Sequence, residues 1–336
     1  MTGGGLGGSS GDVRIGGVRP ADVRVVVIGE SLVDVVPVGP VIEERPGGSP
    51  ANVAVALGRL GHHAELLTVL ADDPRGRAVR AWLEASAVRV VSRPPATGRT
   101  STAEVTLAPD GSAHYVFDLT WDLPDDVLTD VGRPDIVHTG SIATVLPPGS
   151  GTVEAVLRAF RGRALTCFDP NARPAITPDV GATRARVEDL VGLADVVKVS
   201  SEDLAWYYPD LAPADAARRW LRRGGDGPVL AVVTLGADGV ILLRDEEVVW
   251  VPAVPVRVVD TIGAGDTFTG ALLDGLASLG AVGPRARDRL GALRPDELAE
   301  LGRWAARSAA ITVTRPGADP PDRATLRAAV VAPGDL

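Results

Sequence analysis

Apolar and polar positions along this chain follow two periods. Short β-branched runs bounded by turn residues occur at 23–28, 64–70, 135–138, 164–168, 196–199 and 229–235, and each reads as a buried strand. Between them, residues 51–60, 76–85, 153–159 and about 213–223 carry apolar side chains at helical spacing. Such alternation predicts a parallel sheet covered by helices. Val254, Val256, Val258 and Val259 predict a further strand that ends at Asp260 and Thr261. A small-residue turn follows (Gly263, Ala264, Gly265), and Asp266 opens a helix with Phe268, Ala271, Leu272 and Leu276 at helical spacing.

Two stretches break the rhythm. Residues 99–117 hold two alternating runs around Pro109, Asp110, Gly111 and Ser112, which is a hairpin signal. Residues 35–44 are also strand-like, with prolines suited to sheet edges. Together they predict a small antiparallel sheet from inserts at about 35–45 and 97–122. Placed over the mouth of the α/β body, it would be a lid that excludes water. An exposed edge of the hairpin would let two copies pair through it as a homodimer. Residues 1–22 read as a disordered Gly/Ser-rich tail, without the basic and apolar regions of a signal peptide, and 23–330 as the folded domain.

The composition removes several classes of function. The 336 residues are 45% hydrophobic, enough for a sizeable core in one large or two small domains. No window offers about 18 uncharged apolar residues, so no transmembrane helix is expected. A net charge of −9 without long single-sign runs argues against nucleic acid and anionic membrane as partners. Cys167 is the one cysteine; an internal disulfide is excluded, which fits a reducing cytoplasm. His62, His63, His114 and His138 show no metal-binding spacing. Lys198 is the sole lysine among 34 Lys and Arg residues.

The glycine turn carries the chemistry. A strand that breaks into glycines and restarts as a helix aims backbone N–H groups and the positive helix end at one point, which suits an anion. A carboxylate at that point, Asp266, suits proton removal from an attacking hydroxyl. Anion cradle plus base is what phosphoryl transfer to an alcohol needs. The helix N-terminus is expected to lower the pKa of Asp266. A glycine-rich turn with an Asp cap is the structural alternative. No G-x-x-x-x-G-K-[ST] motif exists, which excludes a P-loop, and Phe268 stands where a dinucleotide fingerprint needs its third glycine.

Over roughly residues 23–320 the chain resembles the PfkB (ribokinase-like) carbohydrate kinases, and within them the fructokinases. Two signatures carry the resemblance, GGSPANVAVALGRLG at 47–61 and DTIGAGD at 260–266. GESLVD at 29–34, DPNAR at 169–173, KVSSED at 198–203 and VTLGADG at 233–239 agree with it. The resemblance implies an α/β fold: a three-layer α/β/α ribokinase-like domain with a mostly parallel central sheet plus a small β-sheet lid. It implies Asp266 as catalytic base, with the N–H groups of 262–265, those of Gly263, Ala264 and Gly265 among them, as anion hole.

The same resemblance distributes the ligands. Asp34 would accept hydrogen bonds from sugar hydroxyls, Gly47 and Gly48 would admit the sugar close to the backbone, and Asn52 would offer donor and acceptor. Arg173 would approach the phosphoryl group or the substrate, a loop salt bridge being the alternative. Asp203 and Glu202 would organise Mg2+ through water, with Ser200 and Lys198 on the nucleotide side, Lys198 in a structural or electrostatic role. Ser200 here replaces a common Asn, and Asp203 a common Glu. Thr234 and Gly236 would touch ATP, and Ala306 stands where relatives often carry Asn or His near the adenine. Asp260, Thr261 and the 315–317 loop resemble the surroundings of a monovalent cation, K+.

The implied activity is ATP-dependent phosphorylation of a primary sugar hydroxyl, with fructose giving fructose 6-phosphate. Kinases for 2-keto-3-deoxygluconate, ribose or a nucleoside are the alternatives. The first would want a cation from the lid, and Arg99 is the candidate; the last would want an aromatic platform from Tyr115, Phe117 or Trp121. A non-catalytic sugar- or nucleotide-binding protein is the alternative of another class, opposed by the intact Asp266 and anion turn.

Overall fold

The computed structural model describes residues 19–38, 41–107, 113–222 and 227–331. The expected tail at 1–18 and the expected turn at 109–112 lie outside the described residues; Pro20–Asp22 forms one 3-10 turn. In chain order the elements begin with β1 (Arg24–Ile28), β2 (Leu32–Val38), β3 (Val41–Gly47), α1 (Ser49–Arg59), β4 (His63–Val69), α2 (Pro74–Ala85) and β5 (Val88–Arg93). Next come β6 (Thr102–Leu107), β7 (Ala113–Asp118), β8 (Ile136–Gly140), α3 (Gly149–Phe160), β9 (Leu165–Asp169), α4 (Val180–Val191) and β10 (Val196–Ser200). Then follow α5 (Ser201–Tyr207), α6 (Pro213–Leu221), β11 (Leu230–Thr234), β12 (Val240–Arg244) and β13 (Glu247–Val251). The C-terminal part is helical: α7 (Ala264–Ser278), α8 (Ala286–Gly291), α9 (Pro295–Val313) and α10 (Arg323–Val331).

The large sheet runs β13-β12-β11-β10-β9-β8-β1-β4-β5 and is parallel from β11 to β5; β12 and β13 add to one edge antiparallel. Residues 25–28 of β1 are wholly buried because the strand has helices on both faces. Val25 and Val27 belong to one core, which also holds Leu57 of α1, Leu272 of α7 and Leu298 of α9. Val26 and Ile28 face the other side and belong to a second core that also holds Val153 of α3, Leu190 of α4 and Trp220 of α6. Period-2 alternation thus sorts one strand into two cores and makes three layers. Each such side chain is worth about 1.5–3 kcal/mol relative to exposure.

β1 lies between β8 and β4, and the chain after β1 leaves the main sheet to build the lid before it returns as β4. A crevice opens outside the carboxyl ends of the strands where the winding reverses. The residues just after β1, β8 and β9 therefore meet there.

The second sheet runs β3-β2-β6-β7. It consists of two antiparallel hairpins joined by a parallel β2–β6 pair, so the expectation of a purely antiparallel sheet is corrected at its centre. Pro46 sits on the edge strand β3, but Pro37 sits on the inner strand β2, past the residues that pair with β6. The missing N–H of Pro37 is tolerated because pairing with β6 is registered at residues 33–35 of β2.

Two further expectations change. Residues 254–259 are not a strand: no ladder partner holds them, and Val258 and Val259 are exposed. At the end of the run, the N–H groups of Val259 and of the next residue, Asp260, donate to the Val313 carbonyl. The helix begins at Ala264, two residues before Asp266, because Gly263 adopts the left-handed φ of 74° that lets the chain turn into it. Among the described residues, no helix is long and apolar enough to cross a membrane.

Candidate active site

The chemistry converges on the first turn of α7. Asp266 is the third residue of that helix and is 7% exposed. Its Oδ1 accepts from the Ser49 hydroxyl at 2.6 Å and its Oδ2 from Asn52 Nδ2 at 2.7 Å. Asn171 Nδ2 donates to Ser49 at 2.6 Å and reaches Asp266 Oδ1 at 3.5 Å. One carboxylate is therefore oriented by two residues of α1 and one of the loop after β9.

Burial pushes the Asp266 carboxyl above its ordinary value; the Ser49 and Asn52 hydrogen bonds and the Lys198 charge oppose this without cancelling it. The lowering expected from the helix N-terminus is corrected. Desolvation of a nearly sealed carboxylate outweighs the dipole.

The anion turn is narrower than expected. Ile262 N–H is held by Asp260 Oδ1 at 3.0 Å and Ala264 N–H by the Thr261 carbonyl at 3.3 Å. The N–H groups of Gly263 and Gly265 have no such acceptor among the described residues. They belong to the turn and the first helical residues, whose N–H groups lack intrahelical partners. A Cβ on Gly263 would stand 2.5 Å from Ala318 Cβ, so the 315–317 loop and its successor close the turn from behind.

A cleft of about 530 Å³ opens in front of Asp266. Its walls include Asp34 and Ala103 of the lid, Phe117 of β7, Asn52 of α1, and Asn171 and Arg173 of the loop after β9. Asp34 is half-buried, and burial raises its carboxyl above the ordinary value while Arg173 and Arg45 pull it down. Gly47 is the residue that makes room for it, since a Cβ there would lie 2.3 Å from Asp34 Oδ2. Gly48 has φ 105° and a Cβ there would meet the Glu30 carbonyl at 2.6 Å, so it serves the bend into α1. Asn52, expected to face the sugar with donor and acceptor, directs its donor to Asp266; its Oδ1 is buried without a partner among the described residues. Arg173 is exposed and folded back onto the Asn171 side chain and the 171 and 172 carbonyls.

Behind the turn lies a buried ion pair. Lys198 Nζ meets Asp169 Oδ2 at 2.9 Å, both nearly sealed from water. Burial alone would lower the Lys198 pKa; the Asp169 charge and hydrogen bond more than reverse that. Thr269 of α7 also donates to Asp169, at 3.3 Å. Lys198 Nζ would lie 3.2 Å from a Cβ at Gly265, so its charge sits close beneath the glycine turn. Ser200, likewise expected at the nucleotide, caps α5 by accepting from Asp203 N–H at 3.0 Å.

Asp203 is half-buried, and its Oδ1 accepts from Ala172 N–H at 3.2 Å. Burial and then the Asp169 charge push its pKa up to about 6, against Lys198 and Arg173. Glu202 is exposed. No group of three or more His, Cys, Asp or Glu that could hold a metal occurs among the described residues. One hard oxygen donor with waters and phosphates completing the shell is nevertheless how Mg2+ is usually held, so Asp203 fits a water-mediated site. Asp260 accepts from Ile262 N–H and, at 2.8 Å, from Gly317 N–H, and these bonds, offsetting its burial, hold its pKa below the ordinary value. Both oxygens thus pin the turn to the 315–317 loop.

Thr234 ends β11 beside Ser200, and Gly236 follows with φ 57° and open space around it. Neither borders the cleft; Ala306 lies half-buried on α9. Of the lid candidates, Arg99 pairs with Asp118 at 3.3 Å. Trp121 is core: it is 3% exposed and donates to the Ala143 carbonyl at 2.9 Å. Ser49, Asn171, Asp169 and Glu30 were not singled out from the sequence, although each stands inside a quoted motif. What marks them is a partner 29 or more residues away, as with Ser49 and Asp266, 217 apart.

Comparisons with known proteins agree with this fold. A family model described as pfkB family carbohydrate kinase matches residues 23–325. A fructokinase of Klebsiella pneumoniae is 36% identical over 281 residues, covering 81% of this chain and 89% of that protein. A fructokinase double mutant from Vibrio cholerae O395, solved with fructose, ADP and potassium ion, superposes with a TM-score of 0.76 at 28% identity, covering 93% of this chain and 99% of that one. An aminoimidazole riboside kinase from Salmonella enterica, solved with aminoimidazole riboside and an ATP analog, superposes with a TM-score of 0.74 at 26% identity, covering 92% and 100%.

Proposed function

The chain belongs to the pfkB family of carbohydrate kinases, and from that premise we propose that it transfers the terminal phosphoryl group of ATP to a primary hydroxyl of fructose, giving fructose 6-phosphate. The observation that carries the proposal is Asp266, held by Ser49 and Asn52 with its carboxylate bordering the cleft.

The sugar lies in the cleft with hydroxyls on Asp34, and the primary hydroxyl faces Asp266. Asp266 takes its proton as the oxygen attacks in line, and the phosphoryl charge is met by the N–H groups of Gly263 and Gly265. Lys198 adds positive charge beneath that turn, and Asn171 keeps Ser49 in place. Asp203 would hold Mg2+ through water, and bound Mg2+ neutralises phosphate charge. K+ is assigned to the Asp260 and 315–317 region, as a support for the turn that it anchors. Thr234 and Gly236 remain the proposed ATP contacts. The lid sheet closes over the sugar and keeps water from the phosphoryl group.

Fructose is preferred on the strength of the fructokinase relatives. Phe117 on the cleft wall favours a nucleoside as second reading, in line with the riboside kinase neighbour. A homodimer through the lid is also proposed, on the exposed Val41, Ile42 and Val116 of its outer strands; a monomer in sedimentation at micromolar concentration would remove it.

The test is ADP release with Mg·ATP, with and without K+, over fructose, glucose, ribose, 2-keto-3-deoxygluconate and aminoimidazole riboside. Strong turnover of fructose that is lost in Asp266→Asn supports the proposal. Turnover of the riboside alone selects the second reading. Binding of a sugar without turnover would make the protein a binder.

A further inference from the structure

We propose that Arg173 and Asn171 are positioning residues for the proposed base: Arg173, Asn171, Ser49 and Asp266 form one chain of hydrogen bonds whose donors all point toward Asp266, and this chain fixes the carboxylate that takes the substrate proton. The proposal rests on the sugar-kinase reading. It goes beyond that reading by giving Arg173 a role inside the protein, where the resemblance would place it on the phosphoryl group or the substrate.

The chain has three links. Arg173 Nη1 donates to Asn171 Oδ1 at 2.7 Å, the shortest of its three bonds; the others go to the 171 and 172 carbonyls at 3.1 and 2.9 Å. Asn171 Nδ2 donates to Ser49 Oγ at 2.6 Å. Ser49 Oγ donates to Asp266 Oδ1 at 2.6 Å. The members come from three separate segments: the loop after β9, the first residue of α1 and the first turn of α7.

The direction follows from the chemistry of the groups. A guanidinium only donates, so the amide oxygen of Asn171 faces Arg173 and its nitrogen faces Ser49. An amide nitrogen also only donates, so Ser49 meets it with a lone pair. The single hydroxyl proton of Ser49 is left for Asp266, and an ionised carboxylate only accepts. Reversing one link would set two donors or two acceptors against each other. Hydrogen bonds that run in one sense polarise one another, so the guanidinium charge strengthens the last bond to a carboxylate that it does not touch.

The local structure fits this role. Asn171 has φ 40°, in the left-handed region that Asn tolerates better than most residues. Such a backbone costs free energy, and here it carries a side chain held at both ends. Asn52 holds the other carboxylate oxygen of Asp266, Oδ2, so the carboxylate cannot turn without breaking a bond. Ser49 and Asp266 are buried and Asn171 is half-buried, whereas Arg173 is exposed and can be changed without cutting into the core.

The experiment measures kcat and KM by ADP release, with the sugar that the wild type turns over, for Ser49→Ala, Asn171→Gly, Arg173→Ala and the double variants Ser49→Ala/Arg173→Ala and Asn171→Gly/Arg173→Ala. Circular dichroism checks the fold. Glycine at 171 accepts the left-handed backbone and removes both amide groups. Ser49→Ala and Asn171→Gly are expected to lower kcat about 10–100-fold with KM for the sugar within about threefold, and Arg173→Ala to lower kcat about three- to tenfold. Each double variant is expected to be no slower than its Ser49 or Asn171 single, because a chain already cut downstream gains nothing from its head. No hydrogen bond among the described residues joins Arg173 to Ser49, so separate roles in folding or ligand contact give losses that multiply. Wild-type kcat in Asn171→Gly, multiplied losses in the double variants, or a raised KM as the sole effect of Arg173→Ala overturns the proposal and leaves the kinase reading intact. If Ser49→Ala does not fold, the two loop positions decide it. Failure of the wild type to phosphorylate any sugar of the panel overturns it together with the kinase reading.

Discussion

Asn52 donates from Nδ2 to Oδ2 of Asp266 at 2.7 Å, and so ties the helix that follows the lid to the helix that carries the proposed base. An amide in this position does for the carboxylate what a histidine's partner does in other acid–base pairs: it selects one orientation. Asn52→Ala should lower kcat by about 10–100-fold with KM little changed, and Asp266→Asn should lower it by about 10²–10⁴-fold. Initial rates with the fold checked by circular dichroism decide it. A rise in KM alone for Asn52→Ala would return Asn52 to the sugar.

The raised pKa of Asp266 sets the acid side of the activity profile. The base must be ionised to act, so kcat should climb with pH through a value above the ordinary 3.8 and then level off. The stability consequence has the opposite sense. A carboxyl whose folded value is raised contributes stability that is fully present below its unfolded value and is lost as pH rises through the folded one. Asp266→Asn should therefore be inactive yet melt higher than wild type at neutral pH, as read by thermal denaturation. An equal or lower melting temperature would contradict the dominance of burial.

Gly47 is small because Asp34 needs its space. In Gly47→Ala the new methyl would stand 2.3 Å from Asp34 Oδ2, and that carboxylate must move. KM for the sugar should rise at least about tenfold, the scale of one lost hydrogen bond to a charged group, while KM for ATP holds. Steady-state kinetics with each substrate varied in turn gives the answer.

Away from the cleft, Asp274 of α7 receives His62 at 2.8 Å, Trp304 of α9 at 2.9 Å and Arg323 of α10. Burial would raise its pKa, but His62 and Arg323 bring it below the ordinary 3.8. Asp274→Ala leaves buried donors unpaired and should cost about 3–5 kcal/mol in urea denaturation, with KM unchanged. Since the folded value is depressed, this carboxylate's contribution is present above 3.8 and disappears as pH falls through the folded value.

How much of this was readable in the chain varies with the range of the interaction. Strand β1, helix α1 and the alternation through β11 follow from periods of 2 and 3.6, which are local properties of the residues. The run at 254–259 has the same β-branched character and forms no strand, because a strand also needs a neighbouring ladder and the sheet already ends at β13.

At the site, the sequence by itself determined the residue types: the glycines that permit a left-handed turn, the carboxylate in the first turn of α7, and the motifs that mark a sugar kinase. Only the tertiary structure decided how they are used. It directed Asn52 and Ser49 to Asp266, spent Ser200 on a helix cap, enclosed Lys198 with Asp169, and set Glu30 in the cleft wall. It also reversed the expected pKa shift of Asp266. The reason is physical: a helix end acts within one turn of the chain, whereas desolvation and hydrogen-bond partners are set by segments more than 200 residues apart, such as Ser49 and Asp266 at a separation of 217.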